Sequence, residues 1–320
     1  MPAPLEASYA HCERIARRAA RNFYYGFRVL PRAKALALCA LYAYMRHVDD
    51  LADTPGDASL KRRALEDWRA RTEQALTRPE RSGFGTDEPK PEEALWPALA
   101  DTVARYRIPP GYLLDVVSGA EMDLDPCVYR TFEDLRRYCY HVAGAVGLAC
   151  VYVFGFDDPR AIVPAEEMGI AFQLTNILRD LGQDYAAGRV YLPSEDFERF
   201  GCRPEELDRQ GPPEGALERM LRFEAGRAWG YYERAWTLIP LVSEDSRRAL
   251  WALARIYSGL LEELERRGFD AFSSRARLPV TQKLAVFFWA RLGPPGAHEF
   301  TQRDRSWRGL GWALLRHRAR

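Results

Sequence analysis

Residues 169–193 read GIAFQLTNILRDLGQDYAAGRVYLP, and their pattern decides how the rest of the chain is interpreted. Polar side chains within this stretch follow one another at intervals of three or four residues: Gln173, Asn176, Asp180 and Asp184. Residues three and four apart share a face of an α-helix, so a helix here carries a polar stripe on an otherwise apolar surface. Burying carboxylates is costly without a cation, and hard oxygen ligands at this spacing suit Mg2+. The alternative is the solvated face of a surface helix.

Residues 41–53, LYAYMRHVDDLAD, carry a second pair of carboxylates four residues apart, at Asp49 and Asp53. Apolar residues from Leu38 to Val48 recur at helical spacing, which predicts another core helix with acidic residues at one end. Two such helices facing each other would place the carboxylates around one cavity. Their charges would repel unless divalent cations and a polyanionic ligand balance them. Together the two stretches predict a metal-dependent site for a diphosphate.

The composition is that of a folded protein: 320 residues, 47 % of them hydrophobic, with a net charge of +1. Balanced charge gives no electrostatic reason to expect nucleic acid as a partner. The six cysteines form no CxxC pair, which predicts a reduced, cytoplasmic protein. The longest uncharged apolar run, residues 142–156, is too short to span a bilayer comfortably.

Apolar residues recur at helical spacing along nearly the whole chain, and no stretch shows the alternation of a β-strand. We therefore expect an all-α fold, with a single catalytic domain over residues 1–300. The predicted helices include residues 32–53, one long helix over 131–155, and a helix that begins at Pro164 and ends near Ala187. Residues 79–93 are rich in Pro, Gly and charge, and they predict a surface loop.

Residues 301–320 form a tail that combines six arginines with Trp307 and Trp312. Interleaved basic and aromatic side chains suit an anionic membrane surface, so peripheral contact with the inner face of a membrane is one expectation. The other is a frayed, solvated end.

Aromatic and basic residues complete the predicted site. Loss of diphosphate from an allylic carbon leaves a carbocation, which needs aromatic walls that exclude water. Phe23 and Phe27 precede the first carboxylates, and Tyr42 lies close to them in sequence. Four arginines within or beside the acidic helices are candidates to bind the diphosphate: Arg21, Arg46, Arg179 and Arg189. Each of them is equally suited to pair with a neighbouring carboxylate. The loop that contains Arg189 and Tyr191 is expected to close over a bound phosphate.

The chain resembles the squalene/phytoene synthase family, the head-to-head prenyl transferases. The resemblance rests on DDLAD at residues 49–53, QLTNILRDLGQD at 173–184 and GRVYLP at 188–193. Weaker matches are YCYHVAG at 138–144 and RIY at 255–257. The resemblance implies an all-helical bundle with a central cavity and the two aspartate motifs on opposing walls.

The resemblance also implies roles for individual residues. It assigns five residues as ligands of Mg2+: Asp49, Asp53, Asn176, Asp180 and Asp184. Roughly two or three ions are implied, and each would keep water and phosphate oxygens among its ligands. The resemblance assigns diphosphate contacts to Arg46, Arg179 and Arg189. At Arg21 the chain departs from the family, in which many members have Ser or Lys. We expect further substrate contacts from Arg21, Phe23, Phe27, Gln173, Asn176 and Tyr191. The resemblance places Tyr42, Tyr138 and Tyr257 among the catalytic residues that line the cavity.

The implied reaction is a Mg2+-dependent head-to-head condensation of two prenyl diphosphates. A bulky ring at Phe27 would shorten the tail pocket, which favours two farnesyl diphosphates and presqualene diphosphate or squalene as product, with NADPH as a possible reductant. The alternative is a phytoene synthase that uses two geranylgeranyl diphosphates. Minor alternatives are a non-catalytic assembly factor, which would not need both aspartate pairs, and a head-to-tail prenyl transferase or terpene cyclase, in which GRVYLP is not expected. The oligomeric state and the product are not determined by these motifs.

Overall fold

The computed structural model describes residues 3–19, 21–77, 93–125 and 128–292. These residues form α-helices joined by short turns, and within them no β-structure occurs beyond one isolated bridge between Phe156 and Val242. The all-α prediction is confirmed. Most of the predicted surface loop and the whole of the tail at 301–320 lie outside the described residues.

The helices follow one another along the chain in this order: α1 (Ala3–Ala19), α2 (Arg21–Phe27), α3 (Arg32–Asp53), α4 (Ala58–Thr77), α5 (Trp96–Tyr106), α6 (Pro110–Met122), α7 (Phe132–Cys139), α8 (Ala145–Phe154), α9 (Ile162–Ala186), α10 (Ser194–Phe200), α11 (Gly215–Ala235), α12 (Glu244–Arg266) and α13 (Val280–Leu292). None of these helices is both long enough and apolar enough to cross a membrane.

The helix predicted over residues 131–155 is interrupted. It begins as α7 with a capping box, in which the Thr131 hydroxyl accepts from the backbone N–H of Asp134 and the Asp134 carboxylate accepts from that of Thr131. A π-helical turn over Tyr140–Gly144 then separates α7 from α8. Here α9 approaches so closely that a Cβ atom at Gly169 would lie 2.1 Å from the carbonyl oxygen of Ala143. Only glycine permits that approach.

Helix α9 lies at the centre of the bundle and packs against α8, α11 and α12. Its buried side is apolar, as the sequence predicts: Ile170, Ala171, Leu174, Ile177, Leu178 and Leu181. Helix α3 packs against α1, α5, α6 and α8. A cavity remains between α3 and α9, and its walls are completed by α2, α6, α8 and α12.

Candidate active site

The cavity between α3 and α9 has a volume of about 400 Å³. It brings together most of the residues predicted for the site: Phe23, Phe27, Tyr42, Arg46, Asp49, Asp53, Tyr138, Gln173, Asn176, Arg189 and Tyr257. Charged and polar groups line one end of it. The lining at the other end is apolar and consists of Leu38, Cys150, Phe154, Leu238 and Leu250. The arrangement suits a ligand with an anionic head and a hydrocarbon tail.

Both carboxylates of the first motif face this cavity. Asp49 and Asp53 lie one helical turn apart at the C-terminal end of α3. The Asp49 side chain is reachable by water from the cavity, yet the surrounding protein removes much of its solvation and raises its pKa to about 7, with the charges of Asp53 and Asp50 adding to the effect. Asp50 points elsewhere and pairs with Arg46 at 2.5 Å. The cavity therefore concentrates negative charge that Arg46 and Arg189 in its lining balance only in part.

The two carboxylates of the second motif differ from each other. Asp180 is held by two guanidinium groups, with Nε of Arg179 at 2.9 Å and Nε of Arg275 at 2.7 Å from its Oδ1. Burial alone would raise the pKa of Asp180, but these hydrogen bonds outweigh it and lower the pKa. Burial and the nearby charge of Asp180 raise the pKa of Asp184 to about 7. Asp184 is therefore the uncompensated carboxylate of this motif.

Asn176 supplies a further oxygen. Its Nδ2 donates to Oε1 of Gln173 at 3.3 Å, whereas its Oδ1 is buried and has no hydrogen-bond partner. A buried acceptor without a donor is costly, and a cation would satisfy it.

Asp123 is a site residue that the sequence motifs do not predict. It lies directly after α6, lines the cavity, and accepts hydrogen bonds from the hydroxyls of Tyr138 at 2.9 Å and Tyr191 at 3.0 Å. Burial raises its pKa, and its charge acts on Asp49 and Asp184. The available signal was an acidic residue at the end of an apolar helix, as in α3. Arg275 is not predicted either, and nothing in its sequence surroundings points to Asp180.

Aromatic rings line the middle of the cavity. The Tyr257 ring on α12 stacks on Phe172 of α9, with centroids 4.2 Å apart, and lies 5.1 Å from Phe23. Phe23 in turn lies 6.4 Å from both Tyr42 and Phe27. Ring faces can stabilise a cation where water is excluded.

Several predicted residues do not line the cavity. The side chain of Arg21 lies outside the described residues. The carboxylates of Asp180 and Asp184 and the guanidinium of Arg179 lie just beyond the cavity lining, on the last turns of α9. Tyr191 lines an adjoining pocket of about 290 Å³ that shares Asp123 and Arg189 with the main cavity.

The donor set fits Mg2+ that is bound together with a ligand. Within the described ranges, no three acidic, histidine or cysteine side chains lie close enough to surround one ion. Mg2+ is commonly held by one or two carboxylates plus phosphate oxygens and water. The unbalanced carboxylates of Asp49 and Asp184 and the orphaned oxygen of Asn176 meet that requirement.

Comparisons with known proteins identify the family. The family model described as squalene/phytoene synthase matches residues 16–283. The chain belongs to the squalene/phytoene synthase family. It is thus a prenyl transferase of the family that condenses prenyl diphosphates head to head, and enzymes of this family generally depend on divalent metal.

Named relatives extend over most of the chain. A 15-cis-phytoene synthase of Synechococcus elongatus is 35 % identical over 294 residues, which cover 88 % of this chain and 92 % of that protein. A phytoene synthase of Mycobacterium tuberculosis is 37 % identical over 256 residues, covering 79 % of this chain and 80 % of the relative. The crystal structure of a dehydrosqualene synthase superposes with a TM-score of 0.79 at 29 % identity and covers 90 % of this chain and 96 % of its own.

Proposed function

We propose that this member of the family is a phytoene synthase, which joins two geranylgeranyl diphosphates. The observation that carries the proposal is the identity of 35 % and 37 % to proteins named phytoene synthase, against 29 % to the dehydrosqualene synthase. The preference for farnesyl diphosphate that was expected from the ring of Phe27 is therefore not retained.

The length of the cavity supports the longer substrate. Along α3 its lining runs from Asp53 to Leu38, roughly 22 Å at about 1.5 Å per residue. An extended geranylgeranyl chain measures roughly 18 Å and a farnesyl chain roughly 13 Å, at about 1.2 Å per bond as in extended polypeptide. With the diphosphate placed at the aspartates, the longer chain reaches the apolar end of the cavity.

In this proposal the carboxylates Asp49, Asp53, Asp180 and Asp184, with the oxygen of Asn176, hold Mg2+. Bound Mg2+ would supply charge neutralisation for the departing diphosphate. Arg46 and Arg189 line the cavity and are placed to contact diphosphate oxygens, whereas Arg179 acts mainly through its ion pair with Asp180.

The aromatic walls serve the cation that remains after diphosphate departs. The faces of Phe23, Phe172 and Tyr257 exclude water and favour positive charge. Two diphosphates and two protons leave when two C20 chains are joined into phytoene, so the reaction balances without a reductant. We therefore expect no requirement for NADPH.

Product analysis tests the proposal. Purified protein is incubated with Mg2+ and either geranylgeranyl or farnesyl diphosphate, with and without NADPH, and the extracted hydrocarbons are identified by mass spectrometry. We expect phytoene from geranylgeranyl diphosphate, in equal amount with and without NADPH. Turnover of farnesyl diphosphate alone, or a product formed only with NADPH, would favour the squalene-type reaction instead.

A further inference from the structure

Helix α13 exposes a continuous apolar stripe. Val280, Leu284 and Phe288 lie at intervals of four residues on one face and are 70 %, 55 % and 59 % exposed. The opposite face is anchored, because Val286 and Ala290 are buried where α13 packs against α12. Only three other large apolar side chains are as exposed in the described part of the chain, and they are scattered at Leu60, Val128 and Val163. A stripe of this kind marks an interaction surface.

Charge is distributed unevenly between this region and the rest of the chain. Residues 271–320 contain ten Lys and Arg and two Asp and Glu, a net charge of +8. Residues 1–270 contain 36 basic and 43 acidic residues, a net charge of −7. No acidic residue occurs from Ala271 to His298, where the basic residues are Arg275, Arg277, Lys283 and Arg291. Arg275 is paired with Asp180, so the net positive charge around the apolar stripe comes from the other basic residues of this segment.

The net positive charge of residues 271–320 favours one of the possible binding partners of the apolar stripe over the others. The chain that follows α13 is itself basic, so packing it onto α13 would bring like charges together. A second copy meeting the same face about a two-fold axis would do the same. A lipid surface with anionic headgroups offers both an apolar layer and negative charge.

We propose that α13 docks the protein on an anionic membrane surface, with Val280, Leu284 and Phe288 inserted among the acyl chains near the headgroups. Helix α13 packs on α12, whose residues Leu250, Leu253 and Tyr257 line the active-site cavity. Docking would therefore hold the cavity beside the bilayer, which is where a prenyl substrate and a hydrocarbon product reside because of their apolar tails.

Vesicle binding of the full-length protein tests the proposal without any substrate, so its outcome does not depend on which prenyl diphosphate is used. Binding is measured by co-sedimentation with vesicles of phosphatidylcholine alone and of equal parts phosphatidylcholine and phosphatidylglycerol. We expect binding to the anionic vesicles that weakens as salt is raised, because screening shortens electrostatic attraction. The double variant Leu284→Ser and Phe288→Ser should bind at least tenfold more weakly.

A matched control separates this surface from a general loss of exposed apolar area. The double variant Leu60→Ser and Val163→Ser replaces two residues of similar exposure, 63 % and 64 %, elsewhere on the molecule and should bind as the parent does. Thermal denaturation and activity in detergent establish that both variants are folded. Undiminished binding by the α13 variant, or equal binding of the parent protein to neutral and anionic vesicles, would overturn the proposal.

Discussion

The hydroxyl of Tyr191 donates a hydrogen bond to Oδ1 of Asp123 at 3.0 Å, which fastens the loop after α9 to the end of α6. Tyr138 of α7 donates to the other oxygen of the same carboxylate at 2.9 Å. The rings of Tyr138 and Tyr191 also stack, with centroids 5.1 Å apart. One half-buried carboxylate thus joins three elements at the polar end of the cavity, and the loop that contains Arg189 depends on it for its position.

Tyr191→Phe should lower kcat/KM by roughly 10- to 100-fold. The variant keeps the stacked ring and removes one hydrogen bond to a charged acceptor, which is worth about 1.5–3 kcal/mol. Because the loop carrying Arg189 would be held less firmly, we expect the effect in turnover rather than in folding. Steady-state kinetics with geranylgeranyl diphosphate, together with a denaturation curve, measure both.

Tyr140→Phe provides the control for that variant. It breaks a bond of the same type, from a tyrosine hydroxyl to Oδ2 of Asp115 at 2.7 Å, and neither residue lines the cavity. Its kinetics should resemble those of the parent. Equal losses in the two variants would show that the Tyr191 bond supports the fold and not the loop.

Mg2+ and inorganic diphosphate together should stabilise the protein more than either does alone. One carboxylate of each pair, Asp49 in the first and Asp184 in the second, has its pKa raised to about 7 by burial, and the ions complete their coordination with phosphate oxygens. At a concentration about 100 times the dissociation constant the gain is about 2.7 kcal/mol, a rise of several degrees in Tm. Asp49→Asn should reduce this shift more than Asp50→Asn does, because Asp49 lines the cavity and Asp50 does not. A shift that survives a chelator would contradict the metal assignment.

Asp180→Asn and Asp184→Asn should differ in stability although both lower activity. Asp180 is the ion-pair partner of Arg179, whose side chain is only 13 % exposed. Replacing Asp180 removes this partner from a nearly buried cation, which should lower the free energy of unfolding by about 1–3 kcal/mol. Asp184 is destabilising when ionised, since burial raises its pKa to about 7. Its replacement should leave the metal-free protein as stable as the parent or more stable. Urea denaturation of both variants in chelator checks this order, which equal stabilities would contradict.

The spacing of apolar and acidic residues along the sequence was sufficient to predict much of the fold and of the candidate site. Helical periodicity placed α3 at residues 32–53, where it is found, and identified both aspartate pairs as neighbours on one face. What it could not predict depends on contacts between distant segments. Arg275 reaches Asp180 across 95 residues, and Asp123 becomes significant only because α6 ends beside the loop of Tyr191. The π-helical turn arises where α9 packs closely on its neighbour, which no local propensity encodes.

Phe27→Leu should shift substrate preference further toward geranylgeranyl diphosphate. The ring is 5 % exposed and lines the cavity, so a smaller side chain lengthens the space for the hydrocarbon tail. Hydrophobic pockets distinguish ligands by about 10-fold or more per methylene-sized change. The ratio of kcat/KM for the two prenyl diphosphates measures the effect. Leu30→Val, buried three residues later but outside the cavity lining, is the control, and an unchanged ratio in Phe27→Leu would remove Phe27 from the tail pocket.

Glu224 should make the protein less stable as pH rises. Its carboxylate and that of Asp196 are almost fully buried and share one guanidinium, that of Arg227, whose Nη1 donates to Oε1 of Glu224 at 2.8 Å. Burial, with the charge of Asp196 added, raises the pKa of Glu224 to about 8 from 4.5 in the unfolded chain. Between these values the native state keeps a proton that the unfolded state has released, so the free energy of unfolding falls as pH increases.

The slope from this one group is at most about 1.4 kcal/mol per pH unit. Glu224→Gln keeps an acceptor for Arg227 and removes the titration, so the variant should match the parent near pH 4.5 and exceed its stability increasingly toward pH 8. Urea denaturation across this range, in chelator, gives the difference between the two proteins and cancels the contribution of the active-site carboxylates. Glu218→Gln, on the same helix but in a surface pair with Arg222, should follow the parent at every pH. A constant difference between Glu224→Gln and the parent would mean that Glu224 does not titrate in this range.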